Sequence, residues 1–490
     1  MERGKGGEDF IQNIMRRYPV IFTYGAVKLI EETGLEEATI ENIVSNCIEN
    51  GIKIISEKDI ERRIHTKRIF QSIKTFTPKA KELAENLQIE LSLDDKNIIK
   101  PSDSIENNIK ALRDRYRKIY SILRKRIPRG LYEISDLKKI EDGKTGYIVG
   151  MVLTIVKGKR ILVEDPTDNC NIIISERILN RGNREKLKFV TKDAVLGFQI
   201  LKKWGKVFYK DVIFPEFEEP PNEGKDEEVA VLLTSDLHVG SKYFNRKKFE
   251  ILIEWLKGRR GREELAGKVK YIIIAGDLVD GIGIYPSQRF ELSITDLHRQ
   301  YQNVAEILSA IPDYISIIII PGNHDATYRG IPQPPIFKEF REVFDGLPIK
   351  FLSNPAIVRI FGKRFLIEHG EVLESVSNNL ENVSHNEPAR LMLHFLRLRN
   401  FAPISEGRIM VNIQPNDLFT ILAVPNVFHM GHIHVYGYEK YRNVHIINSG
   451  TWQEMTPYQE RLGLQPTPGI FGVFDFTKGR IHNLSIGEVS

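Results

Sequence analysis

The feature that most constrains this chain is a segment pattern that recurs five times between residues 229 and 434. Each copy is a run of largely apolar residues with the length of a buried strand, and each run is followed within a few residues by Asp, His or Asn. The runs cover residues 229–233, 271–275, 317–320, 364–367 and 424–430. Because open α/β sheets carry their chemistry at the carboxyl ends of strands, we expect the polar residues after the runs to meet at one site.

The polar residues that follow the five runs form a set of candidate metal ligands. They are Asp236, His238, Asp277, Asn323, His369, His432 and His434. Imidazoles and carboxylates together suit Mn, Fe or Zn, whereas an all-oxygen set suits Mg or Ca. Seven donors exceed what one ion normally takes, so two ions bridged by one carboxylate is the economical arrangement. Two ions about 3.5–4 Å apart can clamp a phosphate and lower the pKa of a bridging water.

Two residues beside Asn323 are candidates for a catalytic role. His324 is not expected to be a ligand, and its imidazole is predicted to protonate a leaving alkoxide or to orient the phosphate. Asp325 is predicted to orient that imidazole through a hydrogen bond.

The assignment of His369 as a ligand has two rivals, His385 and His394. Both rivals lie in a predicted helix or at its entrance, whereas His369 ends a strand as the other ligands do. The position at a strand end therefore favours His369.

The length and composition of the chain limit the classes of protein to which it can belong. With 490 residues it is expected to form two to four domains. The net charge of +5 is weak evidence for an acidic partner, and two distant cysteines suit a reducing cytosol better than a disulfide framework. No apolar run approaches the ~20 residues that span a bilayer, and the first residues lack the apolar segment of a signal peptide. We therefore expect a cytoplasmic protein that does not associate with a membrane.

The first 130 residues are predicted to be helical. Residues 1–75 have apolar positions at helical spacing, which indicates a small helical domain with docking as its simplest role. Residues 76–130 are predicted to be a charged helical linker with one apolar stripe. Its basic residues could follow a phosphate backbone, although charge runs are more often solvated faces. The candidate DNA-binding residues here are Arg113, Arg117, Arg124, Lys125 and Arg126.

Residues 131–214 change to a pattern of short strands separated by turns. Strands are predicted at 145–156, 160–163, 171–175, 194–201 and 207–213, with a helical stretch near 176–187. Five strands in so short a segment predict a small closed barrel of the OB type, a fold that often binds single-stranded nucleic acid. Trp204 is a candidate for stacking on a base, with a packing role as the alternative.

An acidic, proline-rich stretch at residues 215–228 predicts an exposed interdomain linker. Residues 229–490 contain all five strand-and-ligand segments, and helices are predicted there at 246–257, 293–311 and 387–399. Interleaved strands and helices predict sheet layers flanked by helices. The expected fold class is multidomain α+β, with an N-terminal helical domain, an OB-type barrel and a domain of β-sandwich layers flanked by helices.

The ligand motifs give the last domain a specific resemblance to a known superfamily. The chain carries DxH at Asp236 and His238, GD at Asp277, GNHD at 322–325, HG at His369 and GHxH at 431–434. In these motifs it resembles the calcineurin-like metallophosphoesterases. Within them it is similar to the small subunits of archaeal family D DNA polymerases. That similarity is carried by the strand-rich segment before residue 229, by EPARLMLHFLRLRNFAPISEG at 387–407 and by INSGTWQEMTPYQERLGLQPTPG at 447–469.

The resemblance covers roughly residues 131–490 and implies a nucleoid-associated subunit with 3′–5′ exonuclease activity. Such a subunit proofreads for a separate, large catalytic polymerase subunit in a heterodimer, and DNA and, as a further candidate, the sliding clamp are its other partners. The implied ligands of one ion are Asp236, His238, Asp277 and His434, and those of the second are Asp277, Asn323, His369 and His432. His324 would be the catalytic histidine. Mn²⁺ is the implied ion, with Fe or Zn as alternatives.

Two other functions stay open at this point. The chain could be a non-catalytic scaffold whose metals serve folding, or a stand-alone phosphoesterase such as a protein phosphatase or a double-strand-break nuclease. The predicted barrel and the NSGTWQ stretch argue against the stand-alone enzyme.

Overall fold

A computed structural model describes most of the chain. It covers residues 11–60 except 12, 13, 19, 34–36 and 50; residues 76–93, 105–220 and 227–374; residues 383–401 except 385; and residues 411, 414, 416–461 and 463–489. The chain divides into two compact units, Met1–Thr77 and Pro78–Ser490. Among the residues covered, no helix is both long and apolar enough to cross a membrane.

The described residues of the first unit include helices α1 (Tyr24–Thr33) and α2 (Glu37–Glu49) and a small parallel sheet. Strand β1 (Ile21–Phe22) pairs with β2 (Ile54–Ile55), and α1 and α2 lie between them in the chain. Apolar side chains from both helices and both strands pack into one core. The helical pattern did not predict the two short strands, and residues 61–75 lie outside the part that the structure describes.

The second unit begins with a short 3-10 helix, Lys79–Glu82. Strand β3 (Leu87–Leu91) and the long helix α3 (Ile105–Arg126) follow it. One face of α3 packs against the strands of the barrel that comes next, through Ile119 and Leu123. This face is the apolar stripe that the sequence indicates.

The prediction of a charged linker over residues 76–130 is wrong for β3. This strand pairs antiparallel with a strand at Ala356–Ile360 and so becomes part of a large sheet. Glu90 of this strand forms ion pairs with Arg359 at 2.8 Å and with Arg364 at 2.5 Å. The charged residue therefore fastens the strand to the sheet.

Five strands close into a barrel after α3. A 3-10 helix at Ile134–Lys139 precedes them. The elements are β4 (Thr145–Val156), β5 (Arg160–Glu164), β6 (Asn169–Ile173), helix α4 (Arg181–Leu187), β7 (Val195–Lys203) and β8 (Lys206–Ile213). The strand order around the barrel is β4-β5-β6-β8-β7. Each strand overlaps one that the sequence predicts, and the assignment of the barrel to the OB type stays a prediction.

The segment predicted to be an exposed linker, residues 215–228, is anchored to the core within its first six residues. Phe217 is only 1% exposed and belongs to a large hydrophobic core. Glu216 forms ion pairs with Arg397 at 3.0 Å and with Arg442 at 2.7 Å. The linker prediction is therefore wrong for residues 215–220, because one aromatic and one acidic side chain anchor the segment. Residues 221–226 lie outside the described residues.

The rest of the second unit contains the strands of two sheets and their helices. In chain order the strands are β9 (Ala230–Thr234), β10 (Val269–Ala275), β11 (Ser316–Ile320), β12 (Ile349–Phe351), β13 (Ala356–Ile360), β14 (Lys363–Ile367), β15 (Val427–Met430), β16 (Gly437–Tyr441), β17 (Val444–Asn448), β18 (Ile470–Asp475) and β19 (Arg480–Ser485). The helices are α5 (Arg246–Leu256), α6 (Glu263–Ala266), α7 (Leu297–Ser309), α8 (Lys338–Arg341), α9 (Pro388–Leu398), α10 (Pro457–Arg461) and α11 (Ile486–Val489), with 3-10 helices at Gln288–Phe290 and Glu342–Phe344.

Together with β3, these strands form two six-stranded sheets that pack face to face. The first has the order β12-β11-β10-β9-β18-β19, and the second has the order β16-β17-β15-β14-β13-β3. Ile273 and Ile318 of the first sheet share a core with Phe365 of the second. Helix α9 packs on the other face of the second sheet, where Phe395 and Phe428 belong to one cluster. The predicted sheet layers and the three predicted helices are present.

Parallel pairing aligns the carboxyl ends of the strands that precede the candidate ligands. Ile273 of β10 lies opposite Leu233 of β9 and Ile318 of β11. In the second sheet Ile367 of β14 lies opposite His429 of β15. Since each group of parallel strands ends at one edge, the loops after these strands are brought together.

The packing of residues 215–220 makes a testable difference to stability. Phe217→Ala is expected to lower the free energy of unfolding of the second unit by about 3–5 kcal/mol, because it leaves a cavity in the core. Glu218→Ala, which truncates an exposed neighbour, is the matched control and should change it by less than about 0.5 kcal/mol. Denaturant unfolding of the full chain measures both values. If both variants change the free energy of unfolding by the same small amount, residues 215–220 are an exposed linker after all.

Candidate metal centre

All seven candidate ligands lie in loops that follow the carboxyl ends of five strands. Asp236 and His238 follow β9, Asp277 follows β10, and Asn323 follows β11 in the first sheet. His369 follows β14, and His432 and His434 follow β15 in the second. The structure brings these side chains into one buried pocket between the ends of the two sheets.

Five of the seven candidate ligands have a backbone in the left-handed region. Their φ angles are 54° for Asp236, 53° for His238, 54° for Asp277, 69° for His432 and 62° for His434. Residues with a side chain rarely adopt this conformation, which costs on the order of 1–3 kcal/mol each and is concentrated at functional sites. Hydrogen bonds between the loops hold it here, including one from the amide of His238 to the carbonyl of Asp277 at 3.1 Å.

The first group of donors consists of Asp236, His238 and His434. One ligand atom from each lies within 4.8 Å of the others. Nε2 of His434 is 2.9 Å from Nε2 of His238 and 3.4 Å from Oδ1 of Asp236. These three side chains are between 0% and 7% exposed, so the donors face one another away from solvent.

The second group consists of Asp277, His369 and His432, and their ligand atoms also lie within 4.8 Å of one another. The amide oxygen of Asn323 is 3.0 Å from Nε2 of His369 and 3.0 Å from Nδ1 of His432. Oδ2 of Asp277 is 3.3 Å from Nε2 of His369 and 3.6 Å from Nε2 of His238. The carboxylate of Asp277 thus lies between the two groups.

The pocket keeps its carboxylates ionised beside several imidazoles. Burial disfavours a charged His238, but the hydrogen bond to Asp280 and the charges of Asp277 and Asp236 raise the pKa of His238 to about 9. Burial also opposes ionisation of Asp277, yet His369 and other histidines hold its pKa well below the usual range. A buried set of carboxylates and imidazoles, in which a cation would replace the imidazole protons, fits a divalent metal ion.

Two glycines allow the loops to approach closely enough to form this pocket. A Cβ atom at Gly322 would collide with the carboxylate of Asp277, and a Cβ at Gly431 would collide with that of Asp236. A larger residue at either position would displace a candidate ligand.

Three side chains that were not predicted from the sequence contact the rings of the candidate histidine ligands and orient them. Oδ1 of Asp280 is 3.2 Å from Nδ1 of His238, and the amide of Gln459 is 2.6 Å from Nδ1 of His434. Glu374 contacts Nε2 of His432 at 3.2 Å. Asp280 lies three residues after Asp277 in the same loop, and this proximity could have indicated its role as a partner of a candidate ligand. The sequence gives no comparable signal for the glutamine.

His324 lies at the edge of the pocket, with its ring centroid 4.7 Å from that of His238. Its Nδ1 donates a hydrogen bond to the carbonyl of Asp280 at 2.7 Å. The predicted role of Asp325 in orienting this imidazole is therefore wrong, since the carbonyl of Asp280 does so.

Asp325 instead joins neighbouring segments below the pocket. Its carboxylate accepts hydrogen bonds from the amide of Gly322 at 2.9 Å, the amide of Leu278 at 3.2 Å and the hydroxyl of Tyr301 at 3.1 Å. Its burial raises the pKa to about 7. The residue positions the loops that carry ligands and does not contact the imidazole it was expected to orient.

The two rivals of His369 have different outcomes. His394 is buried in α9, where its Nε2 lies 3.4 Å from the hydroxyl of Thr191, so it is not part of the pocket. His385 lies outside the described residues.

The predicted DNA-binding residues lie elsewhere on the second unit. Arg113, Arg117, Arg124, Lys125 and Arg126 are exposed on α3. Trp204 is 70% exposed in the turn between β7 and β8, and the amino group of Lys203 lies 4.4 Å from its ring centroid. In the described part of the chain, no contact joins these residues to the pocket.

The sequence matches known proteins over the region that contains this pocket. Residues 231–436 match a family model for the B subunits of DNA polymerases alpha and epsilon. The DNA polymerase II small subunit of Pyrococcus horikoshii is 35% identical over 483 residues, which are 96% of this chain and 74% of that protein. The small subunit of Archaeoglobus fulgidus is 35% identical over 377 residues, or 76% of this chain and 75% of that protein.

Other matches are less complete. The chain spans 63% of the length of the Pyrococcus furiosus small subunit, with 36% identity over 391 residues. The solved structure of an archaeal phosphodiesterase aligns with 52% of this chain and 99% of its own length at 14% identity. Its TM-score of 0.26 is too low to establish a common fold.

The contact between Asp280 and His238 leads to a prediction about metal affinity. Asp280→Asn removes the negative charge behind the imidazole and is expected to weaken Mn²⁺ binding by about 10–100-fold, because partners of this kind orient a ligand and increase its basicity. Isothermal titration calorimetry of the full chain measures the affinity. Glu306→Gln, on the exposed side of α7, is the control and should bind as the wild type does. Unchanged affinity in Asp280→Asn would refute the supporting role.

Proposed function

Because the chain belongs to the family of DNA polymerase II small subunits, we propose that its pocket is a dinuclear 3′–5′ exonuclease site for DNA ends. The observation that carries the proposal is the position of the Asp277 carboxylate between His238 and His369, at 3.6 and 3.3 Å. A carboxylate in that position can bridge two cations, which a site for a single ion does not require. Removal of nucleotides from a 3′ end by such a site would serve proofreading.

The two groups of donors divide the ligands between two ions. The first ion would be held by Asp236, His238, Asp277 and His434, and the second by Asp277, Asn323, His369 and His432. Mn²⁺ suits this mixture of imidazole, carboxylate and amide donors, as Fe or Zn also do. When bound, such a pair of ions clamps a phosphodiester and lowers the pKa of a water molecule.

His324 is the residue that handles a proton near the scissile phosphate. The carbonyl of Asp280 only accepts hydrogen bonds, so Nδ1 of His324 carries a proton and its Nε2 is left to face a substrate. From this position Nε2 can donate a proton to the leaving alkoxide or a hydrogen bond to a phosphate oxygen.

A small subunit of this family has a large catalytic polymerase subunit as its partner. In our proposal the two subunits form a heterodimer on DNA at the nucleoid, with the sliding clamp as a further partner. The basic residues on α3 and the exposed Trp204 would contact the DNA backbone and an unpaired base, and the barrel would act as an OB-type nucleic-acid module.

The roles of Asp277 and His324 can be separated by mutation. Asp277→Ala is expected to lower both metal content and nucleotide release, because it removes the carboxylate that both ions would share. His324→Ala should retain the metal and lower the rate by about 10²–10⁴-fold. The assay uses 3′-labelled single-stranded DNA with Mn²⁺, the full chain with and without the large subunit, and metal analysis of each variant.

Three outcomes would contradict these assignments. Equal metal loss in both variants would refute the division of roles. Unchanged nucleotide release in both would refute the catalytic assignment. If the wild type released no nucleotide, even with the large subunit, the chain would be a non-catalytic scaffold.

Contacts between α3 and the DNA backbone predict a change in salt dependence. Replacement of Arg124 and Lys125 by Ala should reduce the slope of log affinity against log salt by about 1.4 for single-stranded DNA, because two phosphate contacts are lost. The paired replacement of Arg259 and Arg260 by Ala, on another exposed surface, is the control. Fluorescence anisotropy over a range of salt concentrations measures the slopes. If the α3 variant has the same slope as the wild type, this face of the helix does not contact DNA.

A further inference from the structure

Two tyrosines stack on each other at the edge of the metal centre. The ring centroids of Tyr285 and Tyr458 are 5.8 Å apart, and their planes are inclined by only 24°. The ring centroid of Tyr285 lies 6.4 Å from that of His324, so the tyrosine pair is next to the proposed catalytic histidine. Tyr458 is 48% exposed, which leaves part of its ring open to a ligand.

Both tyrosines lie in segments that also hold the pocket together. Tyr458 lies in α10, directly before Gln459, whose amide contacts His434 at 2.6 Å. Tyr285 lies in the loop after Asp280, the residue that holds both His238 and His324, and its hydroxyl donates to Glu291 at 3.1 Å. The pair is therefore fixed relative to the metal centre rather than carried by an independent loop.

The same segments expose further apolar and basic groups. Phe290 is 71% exposed and Met455 is 40% exposed. The guanidinium of Arg289 lies 5.7 Å from the ring centroid of Phe290, and Lys242 donates to the carbonyl of Phe290 at 2.8 Å. Aromatic faces beside cations are the combination that binds unpaired nucleotides, since bases stack on the rings and phosphates meet the charges.

We propose that the base of the 3′-terminal nucleotide of an unpaired DNA end stacks on the Tyr285–Tyr458 pair while its phosphate lies in the metal centre. This inference rests on the proposed exonuclease function, because it names the substrate of that same site. A terminal base must leave its own stack to reach the pair. That step costs least for a mismatched or single-stranded end, so the pair selects such ends for hydrolysis.

The kinetic test compares two single-stranded oligonucleotides, one with a normal 3′ nucleotide and one whose last nucleotide lacks a base. The wild-type chain should release the normal nucleotide with a kcat/KM about 5- to 150-fold higher, which is the worth of one stacked base. Tyr458→Ala should lose most of this preference, mainly through KM, and Tyr458→Phe, which retains the ring, should keep it. Leu422→Ala truncates another exposed apolar residue, 55% exposed, and is the control for the loss of surface area.

A binding measurement separates this inference from the exonuclease function itself. The probe is single-stranded DNA with 2-aminopurine at its 3′ end, added to the full-length His324→Ala chain with Mn²⁺. Stacking of 2-aminopurine on the tyrosine pair should quench its fluorescence. The double variant His324→Ala/Tyr458→Ala should not show this quenching. This readout does not require hydrolysis.

The outcomes of the two measurements decide between the two ideas. If Tyr458→Ala keeps the full preference and the full quenching, the stacking inference is overturned while the exonuclease function stands. If no protein releases a nucleotide but the quenching depends on Tyr458, the exonuclease function fails and the base-binding role of the pair stands. If Tyr458→Ala instead loses co-purification with the large subunit and keeps its preference, the pair is a protein interface and the inference is overturned.

Discussion

The carboxylate of Asp277 is the group that connects the two sets of donors in the candidate metal centre. It lies 3.6 Å from His238, which follows a strand of the first sheet, and 3.3 Å from His369, which follows a strand of the second. Neither sheet supplies a complete set of donors. The centre therefore exists only because the two sheets pack face to face and their loops meet at one edge.

Holding these loops together opposes several physical costs. Five of the candidate ligands have left-handed backbones, and acidic groups are buried next to one another. The apolar strands offset these costs, because each loop is fixed at the end of a fully buried strand such as β9, β10 or β11. Gly322 and Gly431 remove the side chains that would otherwise keep the loops apart. The result is a buried pocket of carboxylates and imidazoles that a divalent cation would complete.

The remaining parts of the second unit pack against this core and are not joined to it only by flexible linkers. Strand β3 extends the second sheet, the segment around Phe217 is part of its core, and helix α3 packs on the barrel. The proposed DNA contacts on α3, on the barrel and on the Tyr285–Tyr458 pair therefore belong to one compact unit with the metal centre. A strand end bound by such a unit would be held in a defined orientation toward the proposed catalytic histidine.

The sequence alone determined the types of the candidate ligands, the strands that precede them and the strands of the barrel, because buried strands and donor-rich turns leave a local pattern. Tertiary structure decided the rest. Asp280 rather than Asp325 orients His324, the charged strand β3 joins a sheet, and Tyr458 reaches the rim of the pocket. Each of these depends on contacts between residues that local patterns do not connect. Such contacts form only when distant segments pack, so they leave no periodicity in the sequence.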